Sequence, residues 1–221
     1  MPTGFTDSLT PVARLVEWLQ PGRVLDIGVG NGRMGFLVRE YGHQPWHPRA
    51  HGDRVEIHGI EGHEPYIGDL QRAIYDRIIV GNALDVLAGL ASEEARYDLA
   101  IAADILEHFA PADAAVFLDR CLAVSDLLLV ATPRSFFEQE DPDNVLETHR
   151  SHWPEHELLR AAATAVLHRG ESLVVLFGDR ALAGDYLAAS RSRLRVRLLP
   201  PALAELMYAK RAHRRMRERR P

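Results

Sequence analysis

Three short stretches carry side chains whose types and spacing could do chemistry: "RVLDIGVGNGRMG" at 23–35, "ADILEHF" at 103–109 and "ETHRSHW" at 147–153. In the first, "GNGRMG" satisfies the G-x-G-x-x-G pattern of a dinucleotide turn, but such a turn has its first glycine directly after a strand. Here the apolar run "VLDI" ends at Gly28, so the register is Gly28-x-Gly30-x-Gly32 and the pattern match begins inside the loop. Asp26, at the carboxyl end of that run, is expected to face the ligand. A carboxylate beside a pyrophosphate is electrostatically unfavourable, whereas a cationic ligand with an amino-acid moiety would welcome it.

S-Adenosylmethionine is a ligand of that kind. Its sulfonium and α-ammonium are positive, and its carboxylate and ribose can use the loop amides. A second acid suits it: "VEIHGIEGHEP" reads as a strand with Glu61 at its end, where a carboxylate can accept both ribose hydroxyls. Glu61 lies 31 positions beyond Gly30, and "GHQPWHPRAHGD" reads as the inserted loop that supplies the excess. A third strand, "RIIVGNALDVL", is expected to end at Asn82, whose amide suits the adenine amino group and ring nitrogens, with Ala83 beside it.

The other two stretches offer groups for the reaction. Transfer of a group to a hydroxyl or amine needs an in-line approach and commonly a base for the departing proton. Asp104, Glu107 and His108 stand together after the fourth strand, and an oxygen-rich site with one imidazole could hold a hard divalent ion. The favoured reading has no metal: Glu107 caps or pairs on a helix, and His108 touches ligand or substrate. His149, Arg150, His152 and Trp153 could take a proton, bind an anion and stack on a ring, with His149 as the base; a solvated loop anchored by Trp153 is the competing reading. His43, His47, His51, His58 and His63 match no zinc spacing and are expected at the surface.

These residues need a scaffold, and the apolar runs supply one. "RVLDIGV", "VEIHGIE", "RIIVGNA", "YDLAIAAD" and "DLLLVATP" alternate with the helix-like "MGFLVREY", "PYIGDLQRAIYD", "LDVLAGLA" and "DAAVFLDRCLAV". Short, nearly continuous hydrophobic strands between amphipathic helices predict a parallel sheet covered on both faces, a doubly wound α/β fold. After a long polar loop and the helix-like "PEHELLRAAAT" come "AVLHR" and "SLVVLFG", separated only by "GES", too little for a crossover helix. They are expected to close the seven-stranded, mostly parallel sheet as an antiparallel hairpin.

Composition bounds the rest. At 221 residues and 47% hydrophobic content the chain can bury one sizeable core. No basic-then-apolar leader and no run near the roughly 18 apolar residues of a membrane span is present, so a cytoplasmic protein is expected. Cys121, the sole cysteine, excludes an internal disulfide and reads as a buried hydrophobe. The net charge of −5 hides an asymmetry: from 191 to 221, eleven Arg or Lys face two acids, a tail of +9 that leaves −14 on the body. No RNA-binding pattern or aromatic interleaving accompanies that tail, so a solvated or partner-contacting helix is expected, and nucleic acid is not.

Four motifs in order make the resemblance plain. With "VLDIGVGNG", "GIEGHEP", "VGNAL" and "YDLAIAADILEHF", residues 20 to 180 resemble the class I S-adenosylmethionine-dependent methyltransferases, which usually have Asp where this chain has Asn82. "ADILEH" is similar to the E-x-x-E-H segment that some ubiquinone-pathway O-methyltransferases are thought to use for magnesium, with Asp104 in place of the first Glu. "HRSHW" resembles an H-x-S-x-W segment of small bacterial methyltransferases often associated with sugars or natural products, and the "NPPY" type of amino methylases is missing. The resemblance implies methyl transfer from S-adenosylmethionine, leaving S-adenosylhomocysteine, to a small-molecule acceptor, on oxygen rather than nitrogen. Asp26, Gly28, Gly30 and Gly32 would hold the methionine part, Glu61 the ribose, and Asn82 with Ala83 the adenine. Asp104 would border the methyl group, with His108 and His149 as catalytic candidates. Residues 1–20 are expected to form an N-terminal helix or lid, 21–180 the cofactor domain and 181–221 a basic helical extension. An RNA methyltransferase using the tail, a cofactor-binding protein without turnover, and a homodimer stay open as alternatives.

Overall fold

Seven strands form one sheet in the order β3-β2-β1-β4-β5-β7-β6. They are β1 (Arg23–Ile27), β2 (Glu56–Glu61), β3 (Arg77–Val80), β4 (Tyr97–Ala103), β5 (Ser125–Pro133), β6 (Ala165–Arg169) and β7 (Ser172–Gly178). The structure, a computed structural model, describes residues 4–50, 52 and 54–197, the last six as backbone. The chain divides at Ala183/Gly184 into two units, and the first holds residues 4–20 together with the sheet.

β1 to β5 are parallel, and β7 runs antiparallel to β5 and β6, so the predicted closing hairpin is present. Where β7 ends beside the start of β5 the backbone is tight: Gly178 has φ +105, and a Cβ there would lie 2.2 Å from the Asp126 carbonyl oxygen. The central strands are apolar on both sides, as a doubly covered sheet requires; Leu127 to Ala131 are buried without a break.

Helices α1 (Leu9–Leu19), α2 (Arg33–Tyr41), α3 (Asp69–Ile74), α4 (Ala83–Ser92), α5 (Pro111–Val124), α6 (Glu155–Arg160) and α7 (Arg180–Arg197) complete the described fold. α1 buries Val12, Leu15, Val16 and Leu19, one helical stripe, and stops where Gln20 turns left-handed at φ 50. α5 starts on Pro111, whose missing N–H costs nothing in the first turn. Its buried face of Ala114, Phe117, Leu118 and Cys121 joins Leu25, Ile27, Ala100, Ala102 and Val130 in one core. Burial pushes the Cys121 thiol well above its ordinary range, as befits a buried hydrophobe.

Several expectations need correction. β3 stops at Val80, and Asn82 is instead the N-cap of α4, its side-chain oxygen accepting the Leu84 N–H. "PYIGDLQRAIYD" is not one helix: a 3-10 turn covers Glu64–Tyr66 and α3 begins only at Asp69. His58 is not at the surface: it is buried, bonded at 2.9 Å to the Tyr97 hydroxyl and at 2.8 Å to Glu56. Helix α7 occupies the start of the expected extension; His51 and the Arg-rich run from 198 onward lie outside the described residues.

Candidate active site

The carboxyl ends of β1, β2, β4 and β5 surround a cavity of about 580 Å³, the place where open α/β sheets hold their ligands. Its floor is the turn after β1. Gly28 has φ +83, and a Cβ there would stand 2.1 Å from Ile105 Cδ1, so only glycine lets chain and cavity meet. Gly30, at φ +47, donates its N–H to Glu61 Oε2 at 2.8 Å, while Glu61 Oε1 accepts the His63 N–H at 2.8 Å. Both carboxylate oxygens are thereby aimed from the end of β2, with lone pairs left for a further donor.

Gly28, Gly30, Glu61, Asn82, Ala83, Asp104, His108 and His149 all line this cavity. Asp26 and Gly32 do not, and the sequence reading is corrected there. Side chains alternate along a strand; Leu25 and Ile27 join the core beside α4 and α5, so Asp26 points to the opposite face. There it is 1% exposed and accepts the Tyr75 hydroxyl, which itself accepts the Gly35 N–H at 3.2 Å. Burial raises the Asp26 carboxyl to about 7, with the Tyr75 hydrogen bond opposing the shift. Gly32 starts α2 at φ +76 against Ile74 and Gln71.

The acceptor end is built by the loop after β5. His108 donates Nδ1–H to the Thr148 carbonyl at 3.2 Å, and His149 donates Nδ1–H to the Phe137 carbonyl at 2.9 Å. Each imidazole so fixed keeps its Nε2 lone pair. Their rings are 5.1 Å apart, and Phe137 packs edge-on to His149 at 4.5 Å. Glu107 is 3% exposed; its Oε2 accepts the Thr132 hydroxyl at 3.0 Å, while Oε1 is buried without a partner. Burial lifts Glu107 to about 8 and lowers His108.

Ligand atoms of Glu107, His108 and His149 lie within 4.8 Å of one another, a group that could hold a metal ion. The sequence reading had joined Asp104 to Glu107 and His108; the structure substitutes His149. Asp104 sits at φ +58, its Oδ2 3.4 Å from Arg33 Nη2, and burial, only partly offset by Arg33, raises it to about 6. Trp153 is no stacking platform: it is buried in the core and donates Nε1–H to Ser151 Oγ at 2.7 Å. His152 bonds the Arg134 carbonyl at 3.0 Å.

Residues 1–20 are expected to form a helix or lid, but sequence reasoning does not identify which of them reach the cavity or what ties them. Gly4 and Phe5 cover the cavity, Phe5 edge-on to Phe137 at 6.3 Å, and Arg33 Nη1 donates to the Gly4 carbonyl at 3.0 Å. Asp7 fastens the same strap to the β6–β7 turn through His168 Nε2 at 3.0 Å and the Ser172 N–H at 3.1 Å. Nothing marks these residues in the sequence; only Arg33, inside the glycine motif, carried a positional signal.

Sheet order, closing hairpin and cavity together define the class I S-adenosylmethionine-dependent methyltransferase fold. Among solved structures, the N-terminal domain of EvdMO1, determined in the presence of S-adenosylhomocysteine and D-fucose, aligns with a TM-score of 0.58 at 18% identity over 80% of this chain and 85% of that one. An S-adenosylmethionine-dependent methyltransferase from Archaeoglobus fulgidus aligns at 0.51 and 18% identity, covering 70% and 65%. An O-methyltransferase family protein from Burkholderia thailandensis aligns at 0.51 and 15% identity, covering 77% and 54%. No family model and no curated protein matches the sequence. No helix among the described residues is long and apolar enough to cross a membrane.

Proposed function

We propose that the chain transfers a methyl group from S-adenosylmethionine to a hydroxyl of a small-molecule acceptor. The observation that carries this reading is Glu61, fixed by the Gly30 and His63 amides at the edge of a cavity floored by Gly28 and Gly30. In that position its carboxylate accepts the two ribose hydroxyls, and the Asn82 amide, whose oxygen already caps α4, has its NH2 group left to donate to an adenine nitrogen.

Charge supports the cofactor. The lining holds the carboxylates of Glu61, Asp104, Asp113 and Glu147 against Arg33 and Arg150, with Glu107 protonated below about pH 8. Such an excess favours a cationic sulfonium and, with two imidazoles opposite, a neutral hydroxyl. Bound there, the cofactor would supply the methyl group to the acceptor oxygen, its sulfur keeping the electron pair of the broken carbon–sulfur bond, and His149 Nε2 would take the hydroxyl proton. Phe5 and Phe137 exclude water from the transfer and seat the acceptor's apolar body.

The same end of the cavity fits a divalent cation. Glu107 Oε1 has no partner, and both imidazoles have their Nδ1–H groups tied to carbonyls, the arrangement metal-bound histidines use. Glu107, His108 and His149 would hold the ion, which when bound supplies Lewis acidity that lowers the acceptor hydroxyl's pKa; His149 Nε2 is then a ligand, and its role as base belongs to the metal-free site.

Calorimetric titration with S-adenosylmethionine, S-adenosylhomocysteine and NAD, each with and without magnesium, tests the reading. Binding of the first two and not of NAD is expected; binding of NAD alone overturns it. Methylation of an acceptor panel then separates an enzyme from a cofactor-binding protein without turnover.

A further inference from the structure

We infer that Arg33 and Asp104 form the receptor for the amino-acid end of the cofactor, Arg33 taking its carboxylate and Asp104 its ammonium in place of the contact they make with each other. This rests on the methyltransferase reading above and moves to Arg33 and Asp104 two roles that the sequence reading gave to Asp26 and the glycine turn.

Four of the motif's amides are already spent. Gly28 and Val29 both donate to the Ile60 carbonyl, at 2.9 and 3.2 Å, Gly30 donates to Glu61, and Gly32 donates to Val29 at 2.7 Å. A carboxylate placed over Gly28, Val29 and Gly30 finds those N–H groups engaged, and a cation beside the turn supplies the charge they cannot. Arg33 lines the cavity in the first turn of α2, and its guanidinium has five N–H donors, of which the Gly4 carbonyl and Asp104 take two. The ammonium has a matching problem. Asp26, the acid at the expected place, is turned to the other face and closed off by Tyr75.

Asp104 is the acid that remains. The Ala131 carbonyl holds its N–H at 2.9 Å, fixing a left-handed residue at the end of β4. Its Oδ1 is buried with no partner, and its Oδ2 reaches Arg33 only at 3.4 Å, a long contact for a charged pair. A bound ammonium gives that Oδ1 the donor it lacks.

Position agrees with chemistry. Ile27 pairs with Ile60 of β2 and with Ala102 of β4, so Glu61 and Ala103 lie level on either side of β1. Two strand spacings, about 10 Å, separate those neighbours, and ribose and amino acid lie at opposite ends of the cofactor's sulfur-bearing chain. The strap seals the second end: a Cβ on Gly4 would lie 1.5 Å from Asp104 Oδ2.

The test compares S-adenosylhomocysteine with 5′-methylthioadenosine, which keeps the adenosine and thioether and lacks the amino acid. The wild-type chain should bind the first at least tenfold more tightly. In Arg33→Met and in Asp104→Asn that preference should collapse while 5′-methylthioadenosine affinity stays within twofold, which also reports that the variant is folded. Arg33→Lys should recover part of the preference, since a positive charge without the fork is retained. Equal wild-type affinity for the two ligands, a preference surviving Arg33→Met, or equal losses of both ligands in the variants overturns the assignment and leaves the methyltransferase reading standing. Failure of the wild-type chain to bind either ligand overturns both.

Discussion

Asp26 shows what one buried carboxyl does to stability. With the native carboxyl near 7 and the unfolded one near 3.8, the native state holds a proton that the unfolded state releases between those values. Stability from this group is therefore fully present below about pH 4 and declines as pH rises towards 7, by an amount on the order of 4 kcal/mol. Asp26→Asn should flatten that slope, leaving the variant's advantage over wild type larger at pH 8 than at pH 4; equal pH dependence of denaturant unfolding in the two would sink the argument. Glu61→Gln removes one acceptor oxygen from the ribose position and leaves the Gly30 or the His63 N–H without its acceptor, so cofactor affinity should fall about tenfold or more and the melting temperature should drop while the variant still folds, as calorimetry and thermal melts would read. Both acids were legible as strand-end carboxylates. Which face of β1 opens on the cavity was not, because a run as apolar as "RVLDI" has no polar side to declare itself.

Among elements, the glycines at two corners separate site from scaffold. Gly28→Ala adds a Cβ to a left-handed residue against Ile105, where strain of roughly 1–3 kcal/mol is typical. It should lower the melting temperature and abolish binding of S-adenosylhomocysteine. Gly178→Ala meets the Asp126 carbonyl at the far end of β7 and should cost comparable stability while a folded variant keeps its affinity. Finding the reverse pattern by melting and titration would contradict the placement of the cavity. The strands were readable because buried parallel strands are continuous apolar runs, and the hairpin because three residues cannot cross a sheet. The stretch from 134 to 153 was readable only as a loop. Its geometry comes from single bonds, His108 to Thr148 and His149 to Phe137, that no periodicity encodes.

At the scale of the whole molecule, ligand linkage gives a direct readout. A cation held by Glu107, His108 and His149 binds the folded chain alone, so at a hundredfold excess over its dissociation constant it adds about 2.7 kcal/mol to stability. Manganese or magnesium should then raise the melting temperature of the wild type and not of a His108→Ala, His149→Ala double variant, and a chelator should reverse the rise. An unchanged melting temperature at millimolar manganese and magnesium would remove the ion and leave His149 as the base.

The strap also sets an order of events during synthesis. Asp7 waits through 161 residues for His168 and through 165 for Ser172. The nascent chain can therefore lay down β1 to β5 and expose the open ends of those strands while the segment destined to roof them hangs free. Only when the last hairpin leaves the ribosome can the clasp form. A chain stalled or cut before β6 would have the glycine turn and Glu61 but lack both partners of Asp7, His168 and Ser172, and its roof would stay untied.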